Sequence, residues 1–428
     1  MAFRFSFVCQ AFCMPNGMTP FLSVIIPAHN EEKSVCKTIR SLLRQDYRSF
    51  EIVIVDDGST DNTIGKLTEA FDFSIMDPGK LPISLQCAEV MQILNVVYRD
   101  IPIYLMKKEN GGKGDALNAG IDFCQGVYFV SIDADCILSP HTLGQLVDTL
   151  EKCADIVAVG GRIIPIPRTS NFSQDGRLWF EKHMLDYQEL EYGIAFSIAR
   201  PFFDRIGTTM LISGALGLFR TETVIKLGGY ASDTLGEDME LVMRIRQSAA
   251  KEKCPAGIAY AKGAFCYTEL PWNIGDWIKQ RIRWSVGLSE VLWKYRSVLI
   301  DKKYGLVEKV TFLYYLLFER YAPHIEMTGV IICLICGVSE YALVLIQVTI
   351  CIRLLLSVAG CYQSIWNSIK LSDNRMKALM ELLLILASFV SAYHFAHSMI
   401  RFVSVPYYKI KKCILRNKRA VWNSPTRM

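Results

Sequence analysis

Acidic residues stand directly after two short apolar segments, which is where a parallel sheet would hold a ligand. The first pair is Asp56 and Asp57, which follow residues 52–55 (IVIV) and precede a glycine and small polar residues. A turn with an Asx hydrogen bond explains this pattern when it is taken alone. The functional alternative is a pair of carboxylates that binds a ligand at the edge of the sheet.

The second acidic pair favours the functional alternative. Asp133 and Asp135 follow another apolar segment, residues 128–132 (YFVSI). On an extended chain residues i and i+2 point to the same side, so both carboxylates could share one hard divalent cation with the phosphates of a nucleotide. Such a cation neutralises the charge that builds up on a diphosphate leaving group. We therefore expect Mg²⁺ or Mn²⁺ as the cofactor, held by Asp133 and Asp135.

A glycine-rich segment lies between the two acidic pairs. Residues 109–118 (ENGGKGDALN) place three glycines around Lys113. Glycine lets the backbone approach a phosphate closely, and the lysine adds positive charge. The spacing of a Walker A loop is absent, and a plain glycine turn is the alternative.

Two later segments offer a candidate base and a candidate sugar-binding face. Residues 236–238 (GED) open an amphipathic segment; a carboxylate there is often a cap, but it could also accept the proton of a sugar hydroxyl. In residues 280–284 (QRIRW), Gln280, Arg283 and Trp284 share one face of a helix. Arginine suits a diphosphate and an indole suits a pyranose ring, although an interfacial helix with an aromatic belt explains the same residues.

The elements that would position these groups alternate between strands and helices. Apolar runs at residues 23–26, 52–55, 128–132 and 156–159 are typical of strands buried between two layers of helices. Val35, Ile39 and Leu42 form a helical stripe after the first run, with Asn30 as the expected N-cap. This spacing predicts an α/β fold with a mostly parallel sheet.

The end of the chain has a different composition. Hydrophobic residues make up 51% of the 428 residues and charged residues 21%, and the mean hydropathy is +0.23, so part of the chain is expected in lipid. Apolar runs lie around residues 320–337, 341–360 and 378–400, with a turn near residues 337–340. The run 311–318 (TFLYYLLF) is expected to lie in the membrane interface.

These observations divide the chain into four parts. We expect an N-terminal segment (residues 1–20), a cytosolic α/β domain (21–300), interfacial and transmembrane helices (301–405) and a basic tail (406–428). No signal peptide is apparent, and the basic tail is typical of a cytoplasmic flank. We favour three membrane crossings, while an even number would place both ends in the cytosol. Residues 72–102 form an insertion without an assigned role.

Taken together, the motifs DDGS, DAD, GED and QRIRW resemble those of the membrane-bound family 2 glycosyltransferases, which include cellulose, chitin and hyaluronan synthases. The stretch 111–120 (GGKGDALNAG) and Ser213–Ala215 favour the poly-N-acetylglucosamine synthase branch. The resemblance covers roughly residues 20–425. It implies a GT-A, Rossmann-like fold, a UDP-sugar donor and an inverting reaction in which an acceptor hydroxyl displaces UDP in one step.

The resemblance also implies a role for each matching residue. Asp238 would be the general base, with Glu237 beside it, and Asp133 and Asp135 would hold the metal. The residues implied in binding the nucleotide sugar are Pro27, Asn30, Glu31, Asp56, Asp57, Lys113, Asp133, Gln280, Arg283 and Trp284.

The function implied by the resemblance is the transfer of GlcNAc or another hexose to a growing β-linked polysaccharide at the cell (inner) membrane, with export through the chain's own helices. Transfer of a single sugar to a lipid-linked or other glycan acceptor is the alternative. A third reading, a catalytically inactive regulator that binds nucleotide or glycan, is disfavoured because every carboxylate of the motif set is present.

The expected partners are a UDP-sugar, a glycan acceptor and the lipid bilayer, with no nucleic acid. The two transmembrane helices that usually precede the catalytic domain in this family are not visible here. An accessory membrane subunit, a different pore or no translocation would each account for that difference.

Overall fold

A ten-stranded sheet forms the centre of the part of the chain that the computed structural model describes, which is residues 19–76, 84–166, 179–252, 256–271, 273–336, 340, 344 and 393–414. The strands are β1 Leu22–Ala28, β2 Phe50–Asp57, β3 Ser74–Met76, β4 Val90–Tyr98, β5 Ile101–Lys108, β6 Tyr128–Ile132, β7 Cys136–Leu138, β8 Ile156–Pro165, β9 Leu216–Arg220 and β10 Gly257–Thr268. Their order across the sheet is β3-β4-β5-β2-β1-β6-β9-β8-β10-β7.

The parallel centre of the sheet is β5-β2-β1-β6, and it contains three of the four predicted strands. The fourth predicted strand is part of β8. In β1, Val24 and Ile26 pack into the core on one face of the sheet, whereas Ile25 packs into the core on the other. Because helices cover both faces, these strands are apolar throughout rather than alternating.

The prediction of a mostly parallel sheet is wrong for the sheet as a whole, because among the described strands outside this centre only the β8–β10 pair is parallel. Strand β9 runs antiparallel to both of its neighbours, β6 and β8, and β7 runs antiparallel to β10. The insertion adds β3 and β4, which pair antiparallel with each other and with β5 at the sheet edge. The sheet is therefore mixed, since short strands that return from long excursions need not follow the direction set by a strand–helix–strand crossover.

Twelve α-helices are present in the described residues: α1 Val35–Leu42, α2 Thr63–Ala70, α3 Lys113–Phe123, α4 Thr142–Glu151, α5 Trp179–Ile194, α6 Arg200–Arg205, α7 Thr221–Lys226, α8 Glu237–Glu252, α9 Ile274–Lys294, α10 Leu306–Tyr314, α11 Ala322–Cys336 and α12 His394–Ile414. Two π-helical segments, Ala195–Ala199 and Tyr315–Tyr321, join α5 to α6 and α10 to α11. Helix α12 packs against α9 and α11.

The predicted N-cap of the first helix is wrong. Ser34 occupies that position, and its hydroxyl donates to the Glu31 carboxylate at 2.5 Å. Asn30 instead adopts a left-handed conformation with φ of 59°, and its side-chain oxygen accepts the N–H groups of Thr60 at 2.8 Å and Asp61 at 3.2 Å. Asparagine tolerates this conformation better than most residues, so its role here is to hold the loop that follows β2.

Several predicted membrane elements lie largely outside the described residues: the runs 341–360 and 378–400, the turn near residues 337–340, the N-terminal segment 1–20 and the basic tail 406–428. Residues 311–318 are described, and they span the end of α10 and the start of the second π-helical segment. Within the described ranges, no helix combines the length and the apolar character needed to cross a bilayer.

Candidate active site

Residues that follow β1 and β6 and residues that open α3 and α8 meet around one cavity of about 330 Å³. Nine of the predicted site residues line it: Glu31, Lys113, Asp133, Asp135, Glu237, Asp238, Gln280, Arg283 and Trp284. Pro27, Asn30, Asp56 and Asp57 do not line it. The cavity therefore brings together motifs that lie more than a hundred residues apart.

One side of the cavity, which we call the carboxylate wall, consists of Lys113, Asp133, Asp135, Glu237 and Asp238. The Lys113 Nζ lies 2.5 Å from the Asp133 carboxylate and 3.4 Å from the carbonyl oxygen of Gly214. Burial lowers the pKa of Lys113, but the carboxylates of Asp133 and Glu237 outweigh burial and raise it above the ordinary value. The lysine thus stays charged among four acidic side chains.

Glu237 lies deep in the carboxylate wall. Burial raises its pKa above the ordinary value, and the neighbouring Asp238 carboxylate raises it further. The positive charges of Lys113 and Arg283 lower the pKa of Glu237. A positively charged ligand or a proton would relieve this crowding of negative charge.

Asp238 is fixed by backbone groups at the start of α8. One of its oxygens accepts the Gly214 N–H at 3.1 Å and the other accepts the N–H of Met239 at 2.8 Å. The carboxylate is thus held at the cavity by N–H groups, and no positively charged side chain among the described residues is bonded to it. This arrangement leaves it able to accept a further proton from a ligand hydroxyl.

The Asp133-Ala134-Asp135 segment is a turn rather than the predicted extended chain. Strand β6 ends at Ile132, and the Cys136 N–H donates to the Asp133 carbonyl at 3.1 Å. Both carboxylates nevertheless line the cavity. Asp135 is the more buried of the two, and one of its oxygens accepts the Thr268 hydroxyl at 3.3 Å.

Asp57 lies behind the cavity and holds the glycine-rich loop. Its carboxylate accepts Lys108 Nζ at 2.6 Å and the N–H groups of Gly111 at 2.9 Å and Gly112 at 2.8 Å. Lys108 is fully buried and also lies 2.7 Å from Asp115. Asp57 therefore orders the backbone that presents Lys113 to the cavity.

Asp56 and Pro27 lie at the ends of the two central strands. Pro27 pairs with Val55 in the β1–β2 register. Asp56 is 2% exposed; one of its oxygens accepts the Ser59 N–H at 3.3 Å, while the other has no hydrogen-bond partner among the described residues. Burial raises the pKa of this carboxyl group, so Asp56 keeps an unused acceptor close to the strand end.

The other side of the cavity, which we call the helical wall, comes from helices. Its predicted members Gln280, Arg283 and Trp284 lie on one face of α9, as the spacing predicts. Trp284 is 40% exposed, and its ring lies 6.5 Å from that of Tyr192. The Gln280 side-chain oxygen has no hydrogen-bond partner in the described part of the chain.

The start of α8, which carries part of the carboxylate wall, and helix α9, which carries part of the helical wall, meet at a pair of glycines. Gly236 precedes the first residue of α8, and Gly287 lies three residues after Trp284 on α9. A Cβ atom on Gly287 would lie 2.7 Å from the Gly236 nitrogen, and a Cβ atom on Gly236 would lie 3.0 Å from the Gly287 carbonyl carbon. This close approach sets the distance between the GED and QRIRW motifs.

Sequence reasoning missed several residues that line the cavity: Glu191, Tyr192, Phe196, Arg200 and Tyr315 of the helical wall, and Leu211 in the segment between α6 and β9. Phe196 and Tyr315 belong to the two π-helical segments. Such segments are often found at functional sites, but no residue spacing announces them in a sequence. Five of these residues lie between positions 191 and 211 and Tyr315 lies about a hundred positions later, and no motif marks either segment.

The residues that carry the motifs DDGS, DAD, GED and QRIRW match models of known protein families. Residues 23–213 match the family described as "Glycosyl transferase family 2", and residues 128–401 match "Glycosyl transferase family group 2". The chain belongs to glycosyltransferase family 2. This confirms the family suggested by the four motifs.

Two relatives of this glycosyltransferase are bacterial. The poly-beta-1,6-N-acetyl-D-glucosamine synthase of Staphylococcus aureus (strain COL) is 26% identical over 304 residues, which are 70% of this chain and 60% of the relative. The enzyme of the same name from Staphylococcus epidermidis is 27% identical over 317 residues, 73% of this chain and 63% of the relative. The match thus spans 60% to 63% of the length of these relatives.

A solved structure of similar fold is that of the mannosyltransferase PcManGT from Pyrobaculum calidifontis in complex with GDP-Man and Mn²⁺. It superposes with a TM-score of 0.53 at 18% identity, covering 95% of this chain and 93% of that chain. The likeness concerns the fold, which is a mixed α/β, Rossmann-like sheet consistent with the GT-A type.

The carboxylate wall fits a hard divalent cation in its donor set. Asp133 and Asp135 supply carboxylate oxygens at the cavity, which are the ligands that Mg²⁺ and Mn²⁺ prefer. The described residues contain no cluster of three or more metal-ligating side chains. A cation at Asp133 and Asp135 in this glycosyltransferase would therefore need oxygens from a bound diphosphate to complete its coordination.

Proposed function

We propose that this glycosyltransferase transfers a sugar from a UDP-sugar to a growing β-linked polysaccharide at the membrane. The observation that carries the proposal is the single cavity that joins the carboxylate wall to the helical wall. A nucleotide sugar needs positive charge and metal-binding oxygens for its diphosphate, and an acceptor sugar needs an apolar face with polar neighbours. The cavity offers both sets of groups on opposite sides.

The reaction is a single displacement at the anomeric carbon of the donor. The acceptor hydroxyl forms a new bond to that carbon while the bond to the UDP oxygen breaks, which inverts the configuration. Asp238 accepts the hydroxyl proton, and Lys113 and Arg283 face the leaving diphosphate. Asp133 and Asp135 would hold a Mg²⁺ or Mn²⁺ ion, which when bound would neutralise charge on the diphosphate.

The choice of donor sugar rests on the relatives of this chain. The relatives named above are poly-beta-1,6-N-acetyl-D-glucosamine synthases, so GlcNAc is our first choice among the hexoses. We place Asp56 near the base of the nucleotide, because its unpaired oxygen could accept an N–H group. Pro27, Asn30, Glu31 and Asp57 would then shape the surrounding loops.

A contact with the lipid bilayer is part of the proposal. Helices α10, α11 and α12 expose a large apolar surface whose members include Leu306, Val310, Phe318, Ile325, Ile332, Ile335, Phe395, Met399, Val403, Tyr407 and Ile410. On α12 the positions 395, 399, 403 and 407 recur every four residues and so form one stripe. Apolar surfaces of this size mark sites of membrane or protein contact. We place the catalytic domain in the cytosol.

Export of the product would use polar residues between these helices. The Glu326 carboxylate lies 3.1 Å from His394 and accepts the Ser398 hydroxyl at 3.1 Å, and Glu319 lies 3.4 Å from Arg401. Polar groups of this kind line pathways through a membrane when they face a water-filled space. An accessory membrane subunit is the alternative route.

Incubation of the purified protein with a panel of radiolabelled UDP-sugars tests the proposal. We expect one UDP-sugar, in the presence of Mg²⁺ or Mn²⁺, to give labelled polymer that is resolved by size. A product that carries one added sugar would support the alternative, a non-processive transferase. Transfer from a GDP-sugar but from no UDP-sugar would contradict the donor assignment.

A further inference from the structure

An ion pair between a buried arginine and a glutamate of the helical wall joins α9 to α5. Arg281 on α9 is 1% exposed, and its Nη1 donates to the Glu191 carboxylate of α5 at 2.6 Å. The other Glu191 oxygen accepts the Tyr393 hydroxyl at 2.9 Å, and Trp277 Nε1 donates to the same hydroxyl at 3.1 Å. Glu191 itself lines the cavity as part of the helical wall, whereas Arg281, Tyr393 and Trp277 do not line it.

The ion pair connects directly to the indole that faces the cavity. The guanidinium carbon of Arg281 lies 4.6 Å from the centroid of the Trp284 ring, which is a cation–π contact. Trp284 lines the cavity and is partly exposed. Tyr393, Glu191, Arg281 and Trp284 thus form a continuous series of contacts from the start of α12 to the cavity.

The guanidinium depends on Glu191 for its position. Arg281 Nε and Nη2 have no hydrogen-bond partner within the described ranges, so the bond to Glu191 is what orients the group. A buried charge that loses its counter-ion is strongly destabilised and tends to move toward water. Loss of the Glu191 carboxylate would therefore withdraw the cation from behind the Trp284 ring.

We propose that Glu191 is a positioning residue for glycan transfer, acting through Arg281 to hold the Trp284 indole against the acceptor sugar. This inference rests on the proposed function and names the residue that determines the acceptor side of that same site. The carboxylate wall, which handles the nucleotide, is not part of this series of contacts. The expected signature is therefore a defect confined to the acceptor.

The test compares Glu191→Gln with the wild-type protein in three measurements: affinity for UDP, release of UDP by attack of water on the UDP-sugar, and transfer to a glycan acceptor. We expect the acceptor KM to rise by about tenfold, since displacement of a positioning group by about 1 Å costs up to ~10²-fold. UDP affinity and UDP release by water should stay within about twofold, because these depend on the carboxylate wall.

A double-mutant cycle separates action through Arg281 from direct contact of Glu191 with the acceptor. Glu191→Gln in an Arg281→Met background should add no further defect, since residues that act through one interaction are not additive. The double variant also avoids an unpaired buried charge, and replacement of a whole buried ion pair by neutral groups is usually tolerated. An additive effect would overturn the proposed route through Arg281.

Two further variants complete the design. Tyr393→Phe removes one hydrogen bond to Glu191 but keeps the ion pair, so a smaller rise in acceptor KM is expected. Glu69→Gln, which affects an exposed ion pair with Lys66 at 2.9 Å, should leave all three measurements unchanged. If wild-type protein forms glycan and Glu191→Gln has a normal acceptor KM, or loses UDP affinity to the same extent, the positioning role is wrong. Absence of glycan from wild type contradicts the proposed function itself.

Discussion

The two walls of the cavity are held in place by different kinds of interaction. In the carboxylate wall, Lys113–Asp133 and Thr268–Asp135 bond through side chains, but backbone groups also hold it: Asp238 accepts two N–H groups, and Asp57 behind the wall accepts two more from the glycine-rich loop. The helical wall is fixed by side chains that bond to other side chains, as in the Glu191–Arg281 pair. Backbone groups at strand ends and helix starts leave little freedom, whereas a side-chain pair fails when either partner changes.

This difference suggests that the two walls bind different parts of the substrates. The carboxylate wall handles a diphosphate, whose charge and shape are common to all nucleotide sugars, so a rigid frame suits it. The helical wall meets an acceptor, except for Arg283, which faces the diphosphate. Its aromatic and charged side chains come from α5, α6, α9 and the two π-helical segments. Changes in the first wall should abolish the chemistry, while changes in the second should alter the use of the acceptor.

The largest effect is expected from Asp135→Ala in the carboxylate wall. Loss of one carboxylate from the cation site removes stabilisation of the leaving diphosphate worth several kcal/mol, so transfer should fall at least about 10³-fold. Excess EDTA should have a comparable effect on the wild type, with recovery on addition of Mg²⁺ or Mn²⁺. Initial rates of UDP release check both expectations, and full activity in EDTA would exclude a metal requirement.

Asp238→Asn should follow, with a fall in turnover of at least about 10²-fold. The substitution keeps the shape and an acceptor for one of the two N–H groups, Gly214 or Met239, but it removes the group that accepts the hydroxyl proton. UDP affinity should be preserved, which titration calorimetry measures. Turnover close to that of the wild type would assign the base to another residue, for which Glu237 is the nearest candidate.

Most of the carboxylate wall was predictable from the sequence because each motif is local. Asp133 and Asp135 follow a strand, and the helix that begins at Glu237 could be read from its apolar spacing. The conformation was less predictable, since the Asp133–Asp135 segment forms a turn. Asp57 shows a second limit: its partner Lys108 lies 51 residues further on, at the end of a strand where nothing marks it as buried.

The helical wall could be predicted only where its residues share a helix. The spacing of Gln280, Arg283 and Trp284 is sufficient to place them on one face of α9. Glu191 lies 90 residues before Arg281 and 202 before Tyr393, so their contacts depend on how α5, α9 and α12 pack. The same non-local packing decides that β9 runs antiparallel, which the crossover rule did not anticipate.

The junction between the walls offers a smaller and more selective effect. Gly287→Ala would place a Cβ atom 2.7 Å from the Gly236 nitrogen, so α9 must shift away from the start of α8. Because the shift separates Trp284 from Asp238, we expect transfer to fall roughly tenfold while UDP affinity changes little.

Gly275→Ala is the matched control on the same helix. Its Cβ atom would meet nothing closer than the Asn273 side-chain oxygen at 3.4 Å. Alanine also has the higher helix propensity, so thermal stability should be equal or slightly greater and activity normal. Equal activity of the two variants would show that the glycine contact does not set the distance between the walls.

The smallest effect is expected from Asp56→Asn, which should lower the affinity for UDP and raise the stability of the folded protein. Burial raises the pKa of Asp56 in the folded protein, so the folded state holds a proton more tightly than the unfolded state does. Stability is therefore lost as pH rises from the ordinary range of an aspartate through the raised value. The asparagine variant avoids this loss, so its free energy of unfolding should exceed that of the wild type near pH 8, and the difference should shrink toward about pH 4, the ordinary range of an aspartate pKa. If Asp56 also accepts an N–H group of the nucleotide base, UDP affinity should fall by about tenfold, or roughly 1.4 kcal/mol. Denaturant titrations at the two pH values measure the free energy of unfolding, and a UDP titration measures the affinity. Greater stability with unchanged UDP affinity would show that Asp56 does not belong to the nucleotide site.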